Sequence, residues 1–291
     1  MTWKRVATAA ALIPIVVALV LLTSTAVVSV AVAFVTLLAL FEYFALGDAI
    51  GHRAYKYWTA ACALLIVFVQ YLSTLIAYGD FGSYALPARL AWIFTRIFPR
   101  PEEVFLLFVL GIAAITLGTR RPLVEGLPAA GISSSGLLLI AFPLSYAVRL
   151  HGFGIEGRWL LLFVLFITWA GDTAAYFGGR ALGRHPLAPH LSPKKTWEGS
   201  FFSFVGSLLV SLLFVRWLSA SLPYVLGMAA VGNVAGQVGD LLESAYKRSA
   251  GVKDSGGLLP GHGGVLDRID ALILAIPVVW YYWILVYSPR M

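Results

Sequence analysis

The chain has 291 residues, of which 60% are hydrophobic and only 12% are charged, and its formal net charge is +7. This composition excludes an ordinary soluble domain and predicts an integral membrane protein. Lys and Arg are scattered over many loops, so they predict contact with anionic lipid head groups and no nucleic-acid partner. The single cysteine, Cys62, excludes an internal disulfide.

Apolar segments predict an all-α, polytopic integral membrane protein with about nine transmembrane helices. Most segments approach the roughly 20 residues that cross a bilayer, and the fourth is short. They lie near 6–24, 26–46, 58–78, 104–118, 131–148, 159–178, 200–218, 223–243 and 266–287.

The positive charges predict the orientation of these segments. If the N-terminus is cytosolic and the chain crosses at each segment, about two thirds of the 21 Lys and Arg residues face the cytosol. Cytosolic loops carry such an excess. The sequence therefore predicts a multi-pass protein of the cytoplasmic membrane whose loops 184–198 and 247–265 face the cytosol.

We expect a single membrane domain, 1–291, in which residues 1–150 are mainly a helical scaffold and residues 159–287, where the polar motifs lie, carry the chemistry. Two features of the scaffold leave alternatives open. Residues 79–103 form either a helix lying flat in the interface or a plain loop. Glu42 lies inside the second apolar segment, where pairing or inward packing competes with a functional role.

Polar residues begin to cluster at the end of the sixth segment. Asp172, Tyr176 and Arg180 are spaced by four residues, so they share one helix face. Asp172 either contributes to an acidic site or pairs with a cytosolic base.

The next polar stretch reads as the start of a helix. Ser192 suits the N-cap position and Pro193 the first helical position. A helix N-terminus that also carries Lys194 and Lys195 would bind an anion. The alternative is a solvated basic loop.

The eighth segment carries a polar stripe on an otherwise apolar helix. Its members follow helical spacing and are Asn233, Gln237, Asp240, Ser244 and Lys247. Hydrogen bonding between helices explains the two amides. It explains Asp240 poorly, because an ionised carboxylate needs more than an amide partner, so we predict a functional stripe.

Two further acids open the ninth segment. Asp267 and Asp270 are three residues apart and share a helix face. With Asp240 they would form an oxygen-rich site of the kind that Mg²⁺ prefers. The alternative is salt bridging to Arg268, Lys247 or Arg248.

A glycine-rich turn precedes these acids. Gly261, Gly263 and Gly264 leave backbone amides free to approach a phosphate. His262 within this turn has no assigned chemistry by itself.

Taken together, residues 244–270 resemble the signature of the phosphatidate cytidylyltransferase family, whose members are also called CDP-diacylglycerol synthases. Tyr246 departs from the signature by standing where an aliphatic residue or Phe is expected. Residues 192–199 and 239–244 resemble the same family, and the resemblance is strong over roughly the last 130 residues. The matching signature positions are Ser244, Lys247, Arg248, Lys253, Asp254, Gly256, Leu259, Pro260, His262, Gly263, Gly264, Asp267, Arg268 and Asp270.

The resemblance implies an all-helical, usually dimeric, Mg²⁺-dependent enzyme. Such an enzyme transfers CMP from CTP to phosphatidic acid, and its cavity is open to the cytosol and to the lipid. The expected catalytic residues are Asp240, Asp267, Lys247, Arg248 and Lys253. The expected substrate-binding residues are Ser192, Lys194, Lys195, Ser244, His262, Gly263, Gly264 and Arg268. The candidate metal ligands are Asp240, Asp267, Asp270 and Asp172.

Two other interpretations remain open. One is a different lipid nucleotidyl- or phosphotransferase, such as a polyprenol kinase, which the long signature disfavours. The other is an ion-coupled transporter with a relay through Glu42, Asp172 and Asp240. Transporters place such acids near the midplane and often contain similar halves, whereas here the acids gather at one side and the halves differ.

Overall fold

The computed structural model describes residues 2–78, 100–119, 121–257 and 263–287. The segment 79–103, predicted as an interfacial helix or a loop, lies outside the described residues except for its last few. His262 and Gly261 also lie outside them. Ten α-helices are described: α1 (Thr2–Leu22), α2 (Thr25–Ala49), α3 (Lys56–Tyr78), α4 (Pro101–Gly118), α5 (Gly126–Gly136), α6 (Phe142–His151), α7 (Gly154–Leu182), α8 (Trp197–Ser211), α9 (Leu222–Ser249) and α10 (Leu266–Tyr282).

Short irregular turns extend several of these helices. A π-helical turn, Leu137–Ala141, joins α5 to α6, and another, Trp283–Tyr287, follows α10. Single 3₁₀ turns stand before α5 at Leu123–Glu125 and after α8 at Leu212–Phe214. Because of these joints, α5 and α6 act as one segment that crosses the bundle.

Among the described residues, eight helical segments are long and apolar enough to cross a membrane. They are Thr25–Ala49, Lys56–Ile76, Pro101–Gly118, Leu123–His151, Gly154–Leu182, Trp197–Phe214, Leu222–Ser249 and Leu266–Val286. The first predicted span, 6–24, coincides with α1. The prediction of an all-α, polytopic membrane protein is confirmed, and the short fourth span is a helix.

One end of the bundle is held together by side chains that bond exposed helix ends. The imidazole of His151 contacts the Thr25 hydroxyl and the Val20 carbonyl oxygen, each at 2.9 Å. Arg158 donates to the Leu21 carbonyl oxygen at 2.7 Å. Carbonyl groups at a helix C-terminus lack partners within the helix, so these bonds satisfy the end of α1. The charged motifs of the second half lie at the opposite end.

A small β-hairpin stands where the sequence predicted the start of a helix. Strands β1 (Pro186–Ala188) and β2 (Ser192–Thr196) pair antiparallel, and α8 begins only at Trp197. The helix start predicted at Ser192 and Pro193 is therefore wrong. A two-stranded ribbon consists of edges alone, where proline is tolerated, and Thr196 supplies the N-cap by accepting from the Gly199 amide at 3.1 Å.

Glycines set the close approach of α9 to α10. A Cβ atom built at Gly239 would lie 2.5 Å from the Asp270 carbonyl oxygen, and one built at Gly236 would contact Ala271. Small residues let the backbones of membrane helices approach closely. This packing brings Asp240, one residue beyond Gly239, beside the start of α10.

Candidate active site

A ladder of hydrogen bonds joins α8 to α9. The Asn233 amide donates to the Ser203 hydroxyl at 3.0 Å and to the Ser207 hydroxyl at 2.8 Å. One turn later, the Gln237 amide donates to the Asn233 side-chain oxygen at 2.6 Å, and the Ser200 hydroxyl donates to Gln237. The two amides of the predicted stripe thus bond between helices, whereas Asp240 and Lys247, further along the same stripe, form ion pairs.

Above this ladder lies a cavity of about 470 Å³. It is bounded by α7, α8, α9 and the hairpin, and Ser200, Ser203 and Gln237 contribute to its wall. The charged and phenolic residues that line it are Asp172, Tyr176, Arg180, Lys194, Lys195 and Asp240. The cavity therefore brings together three separate motifs that the sequence singled out.

An ion pair crosses the cavity from the hairpin to α9. The Lys195 ammonium lies 2.5 Å from an Asp240 carboxylate oxygen, and both side chains are about one third exposed or less. On the opposite wall, Arg180 donates to the Tyr176 hydroxyl at 3.1 Å, as their four-residue spacing predicts. Lys194 is exposed on β2 and also faces the cavity.

Three carboxylates form one group beside this ion pair. A carboxylate oxygen from each of Asp240, Glu243 and Asp270 lies within 4.8 Å of the others. Glu243 is 3% exposed and lies 2.5 Å from the Lys247 ammonium. Apart from that ion pair, no described residue bonds either Glu243 oxygen. This group has the composition of a cation site.

Glu243 was not among the predicted metal ligands. It follows Asp240 by three residues on the same helix and belongs to the stretch 239–244 that resembles the family. Helical spacing could therefore have found it. Asp172 and Asp267, which were predicted as ligands, stand outside this three-carboxylate group.

Asp267 is held by a different set of partners. One carboxylate oxygen accepts from Lys247 at 2.6 Å. The other accepts from the Gly264 amide at 2.7 Å and from the Ser255 amide and hydroxyl at 3.0 Å each. Lys247 bridges Asp267 to Glu243, so Asp267 lies one ammonium group away from the carboxylate group. Its role as a metal ligand stays a prediction.

Other signature residues surround this centre. Arg248 donates to the Leu191 carbonyl oxygen at 3.1 Å and to the Val252 carbonyl oxygen at 3.0 Å. It therefore links the hairpin turn to the end of α9. Lys253 is exposed in the loop after α9, whereas Ser244 is buried on that helix.

The glycine turn leads directly into α10. Gly263 has a φ of 76°, a conformation that favours glycine, and Gly264 donates its amide to Asp267. Arg268 is exposed on the first turn of α10. The predicted phosphate contacts of these residues, and that of His262, stay predictions.

These features define an α-helical membrane protein with a charged cavity at one end of its bundle. Residues 3–286 match the cytidylyltransferase family, and the chain belongs to that family. It is 44% identical over 137 residues to the phosphatidate cytidylyltransferase of Haemophilus influenzae. The matched stretch covers 45% of this chain and 48% of that protein.

Two further relatives carry the same name. Identity is 39% over 179 residues to the Brucella suis protein, covering 60% of this chain and 63% of the relative. Identity to the Staphylococcus epidermidis protein is 44% over 126 residues, and the match covers 43% of this chain and 48% of that relative. The matched stretch thus spans about half to somewhat under two thirds of these relatives.

Proposed function

We propose that the protein transfers CMP from CTP to phosphatidic acid, giving CDP-diacylglycerol and pyrophosphate. The observation that carries the proposal is the cavity in which Lys195 faces Asp240 beside Glu243 and Asp270. Family membership and the names of the relatives support the same reaction.

The chemistry needs charge neutralisation more than proton transfer. An oxygen of the phosphatidate phosphate attacks the α-phosphorus of CTP, and the bond from that phosphorus to the pyrophosphate oxygen breaks. Both reactants are polyanions, so positioning and electrostatics dominate catalysis. A phosphomonoester is already largely ionised near neutral pH, so the nucleophile needs no strong base.

The carboxylate group fits Mg²⁺ as the cofactor. Mg²⁺ prefers oxygen ligands and binds through a few carboxylates together with water and substrate phosphates. Asp240, Glu243 and Asp270 would hold it, and Glu243 offers two oxygens whose one partner among the described residues is Lys247. When bound, Mg²⁺ would offset the negative charge of the triphosphate.

The bases have separate positions around this centre. Lys194 and Lys195 face the cavity from the hairpin, where they would bind phosphate oxygens of CTP. Lys247 and Arg248 lie at the end of α9, and Lys253 follows in the loop, where they would meet the remaining phosphates. The phosphatidate chains would stay in the surrounding lipid.

The test of this function is pyrophosphate release by the purified protein in detergent. We expect release that requires CTP, phosphatidic acid and Mg²⁺ together, because both substrates take part in one transfer step. Release from CTP without phosphatidic acid, or transfer to a polyprenol instead, would point to another nucleotidyl- or phosphotransferase. No release would favour the transporter interpretation.

We further propose that the protein lies in the cytoplasmic membrane with the cavity facing the cytosol, where CTP is available. Single cysteines at His190 and Ser249, in a Cys62→Ala background, are then expected to resist a membrane-impermeant maleimide in intact cells. Ser221, at the opposite end of α9, is the matched control. A cysteine at this position should react with the same maleimide in intact cells. All three positions are exposed.

After the membrane is opened, His190→Cys and Ser249→Cys should both react. Labelling of only one of them in intact cells would contradict a single cavity built from the hairpin and the end of α9.

The homodimer implied by the family resemblance is also a proposal. Of the eight segments in the described part of the chain that could span a membrane, Pro101–Gly118 has the smallest buried share. Its apolar surface is available to lipid or to a second copy.

A further inference from the structure

Glu42 connects the scaffold half to the signature region. Its carboxylate, on α2, accepts from the Val265 amide at 2.9 Å and from the Leu266 amide at 2.8 Å. These amides stand at the start of α10, where helical backbone donors lack partners of their own. A carboxylate at a helix N-terminus also interacts favourably with the helix dipole. Glu42 is therefore an anionic cap supplied from a distant part of the chain.

The same carboxylate reaches the loop that holds Asp267. The Ser255 hydroxyl lies 3.0 Å from a Glu42 oxygen and 3.0 Å from an Asp267 oxygen. A hydroxyl has one proton to donate, so Ser255 bonds one carboxylate at a time while contacting both. Glu42 thus fixes both segments that position Asp267, namely the Ser255 loop and the first turn of α10.

Two signature glycines make room for Glu42. A Cβ atom at Gly256 would lie 2.7 Å from a Glu42 oxygen. A Cβ atom at Gly264 would collide with both Glu42 and Ser255. Because neither position carries a Cβ atom, the Glu42 side chain of α2 packs directly against the signature region.

An aromatic contact strengthens the same junction. Tyr43, the neighbour of Glu42, packs edge-to-face on Tyr246 of α9, with ring centroids 5.4 Å apart. Such pairs contribute beyond the area that they bury. Tyr246 is the position that departs from the family signature, and its ring packs against the scaffold.

We propose that Glu42 is a positioning residue for the transfer reaction. It holds the Ser255 loop and the start of α10 so that Asp267 and Lys247 keep their orientation next to the carboxylate group. The proposal rests on the proposed function for its kinetic effect. The first half of the chain then supplies part of the active site rather than a scaffold alone.

The kinetic test compares Glu42→Gln and Glu42→Ser with wild type. We expect kcat to fall by about 10- to 100-fold in Glu42→Ser, the range for lost orientation of a reacting group, while the KM for CTP changes by less than about 3-fold. Glu42→Gln keeps one acceptor oxygen, so its kcat should lie between those of wild type and Glu42→Ser. Asp48→Asn is the matched control, because Asp48 is on the same helix and pairs with Lys56 away from the loop.

The contact itself is tested by combining variants. Gly256→Ala should lower kcat in wild type because its methyl group meets the Glu42 carboxylate. In the Glu42→Ser background, the same change should cost little more. Additive losses would show that the two residues act independently and would overturn the proposal.

A readout independent of activity separates this inference from the proposed function. Hydrogen–deuterium exchange of peptides covering 263–267 should be faster in Glu42→Ser than in wild type or Asp48→Asn, because two amides lose their acceptor. An active wild type with unchanged exchange or unchanged kcat in Glu42→Ser would overturn the positioning role. Failure of both Glu42 variants to fold would also overturn the positioning role, because Glu42 would then be needed for the structure alone. Absence of pyrophosphate release by wild type would reject the proposed function instead.

Discussion

Asp240→Asn is expected to lower CDP-diacylglycerol formation by at least about 10²-fold, the scale for removing one key electrostatic group from an active site. Asp240 belongs to the carboxylate group with Glu243 and Asp270 and also pairs with Lys195. An asparagine keeps the shape of the side chain but removes its charge. The variant should therefore lose both the proposed metal site and the partner of Lys195.

The measurement is the initial rate at saturating CTP, phosphatidic acid and Mg²⁺, with Mn²⁺ binding followed by electron paramagnetic resonance. Asp48→Asn removes an acid from a surface ion pair and should keep both the wild-type rate and wild-type Mn²⁺ binding. A well-folded Asp240→Asn protein with more than about a tenth of wild-type activity would reject this residue as part of the centre.

Lys195→Met is expected to change metal binding and CTP use in opposite directions. The Lys195 ammonium contacts the Asp240 carboxylate, so it would compete with a metal ion for the same negative charge. Removing the ammonium should raise the affinity for Mn²⁺ in the absence of CTP by several-fold. The KM for CTP should rise on the order of 10-fold, equivalent to about 1.4 kcal/mol of lost binding.

Lys194→Met is the matched comparison for this effect. Lys194 is the preceding residue of the strand, is exposed, and makes no ion pair among the described residues. Lys194→Met should therefore raise the KM for CTP without changing Mn²⁺ affinity. Equal Mn²⁺ affinity in wild type and Lys195→Met would contradict the competition.

Periodicity predicted much of this molecule because membrane helices have strong sequence signals. The apolar segments predicted the helices, and the spacing of Asp240, Gln237 and Asn233 placed them on one face, next to α8. The hairpin was missed because Ser192 and Pro193 suit a helix start as well as a short ribbon. Thr196, a second good N-cap, lies only four residues later.

Contacts between distant parts of the chain were harder to predict. Glu42 and Ser255 are separated by more than 200 residues, and no periodicity links them. The apolar surroundings of Glu42 indicated only that it needs partners. Glu243 was visible as an acid on the right helix, but its place in the carboxylate group depends on how closely α10 packs at Gly239.

The ladder between α8 and α9 has a consequence for how the chain enters the bilayer. Among the eight segments of the described residues that could cross a membrane, Trp197–Phe214 and Leu222–Ser249 are the two least hydrophobic. Each alone would bring serines or side-chain amides into hydrocarbon without partners, at a cost in free energy. Paired through Asn233, Ser203 and Ser207, they satisfy one another, with each interhelical bond contributing about 0.6 kcal/mol. We expect α8 and α9 to move from the translocation machinery into the lipid together, as a pair of antiparallel helices. The hydrogen bonds below the cavity would then also determine how this part of the chain is inserted.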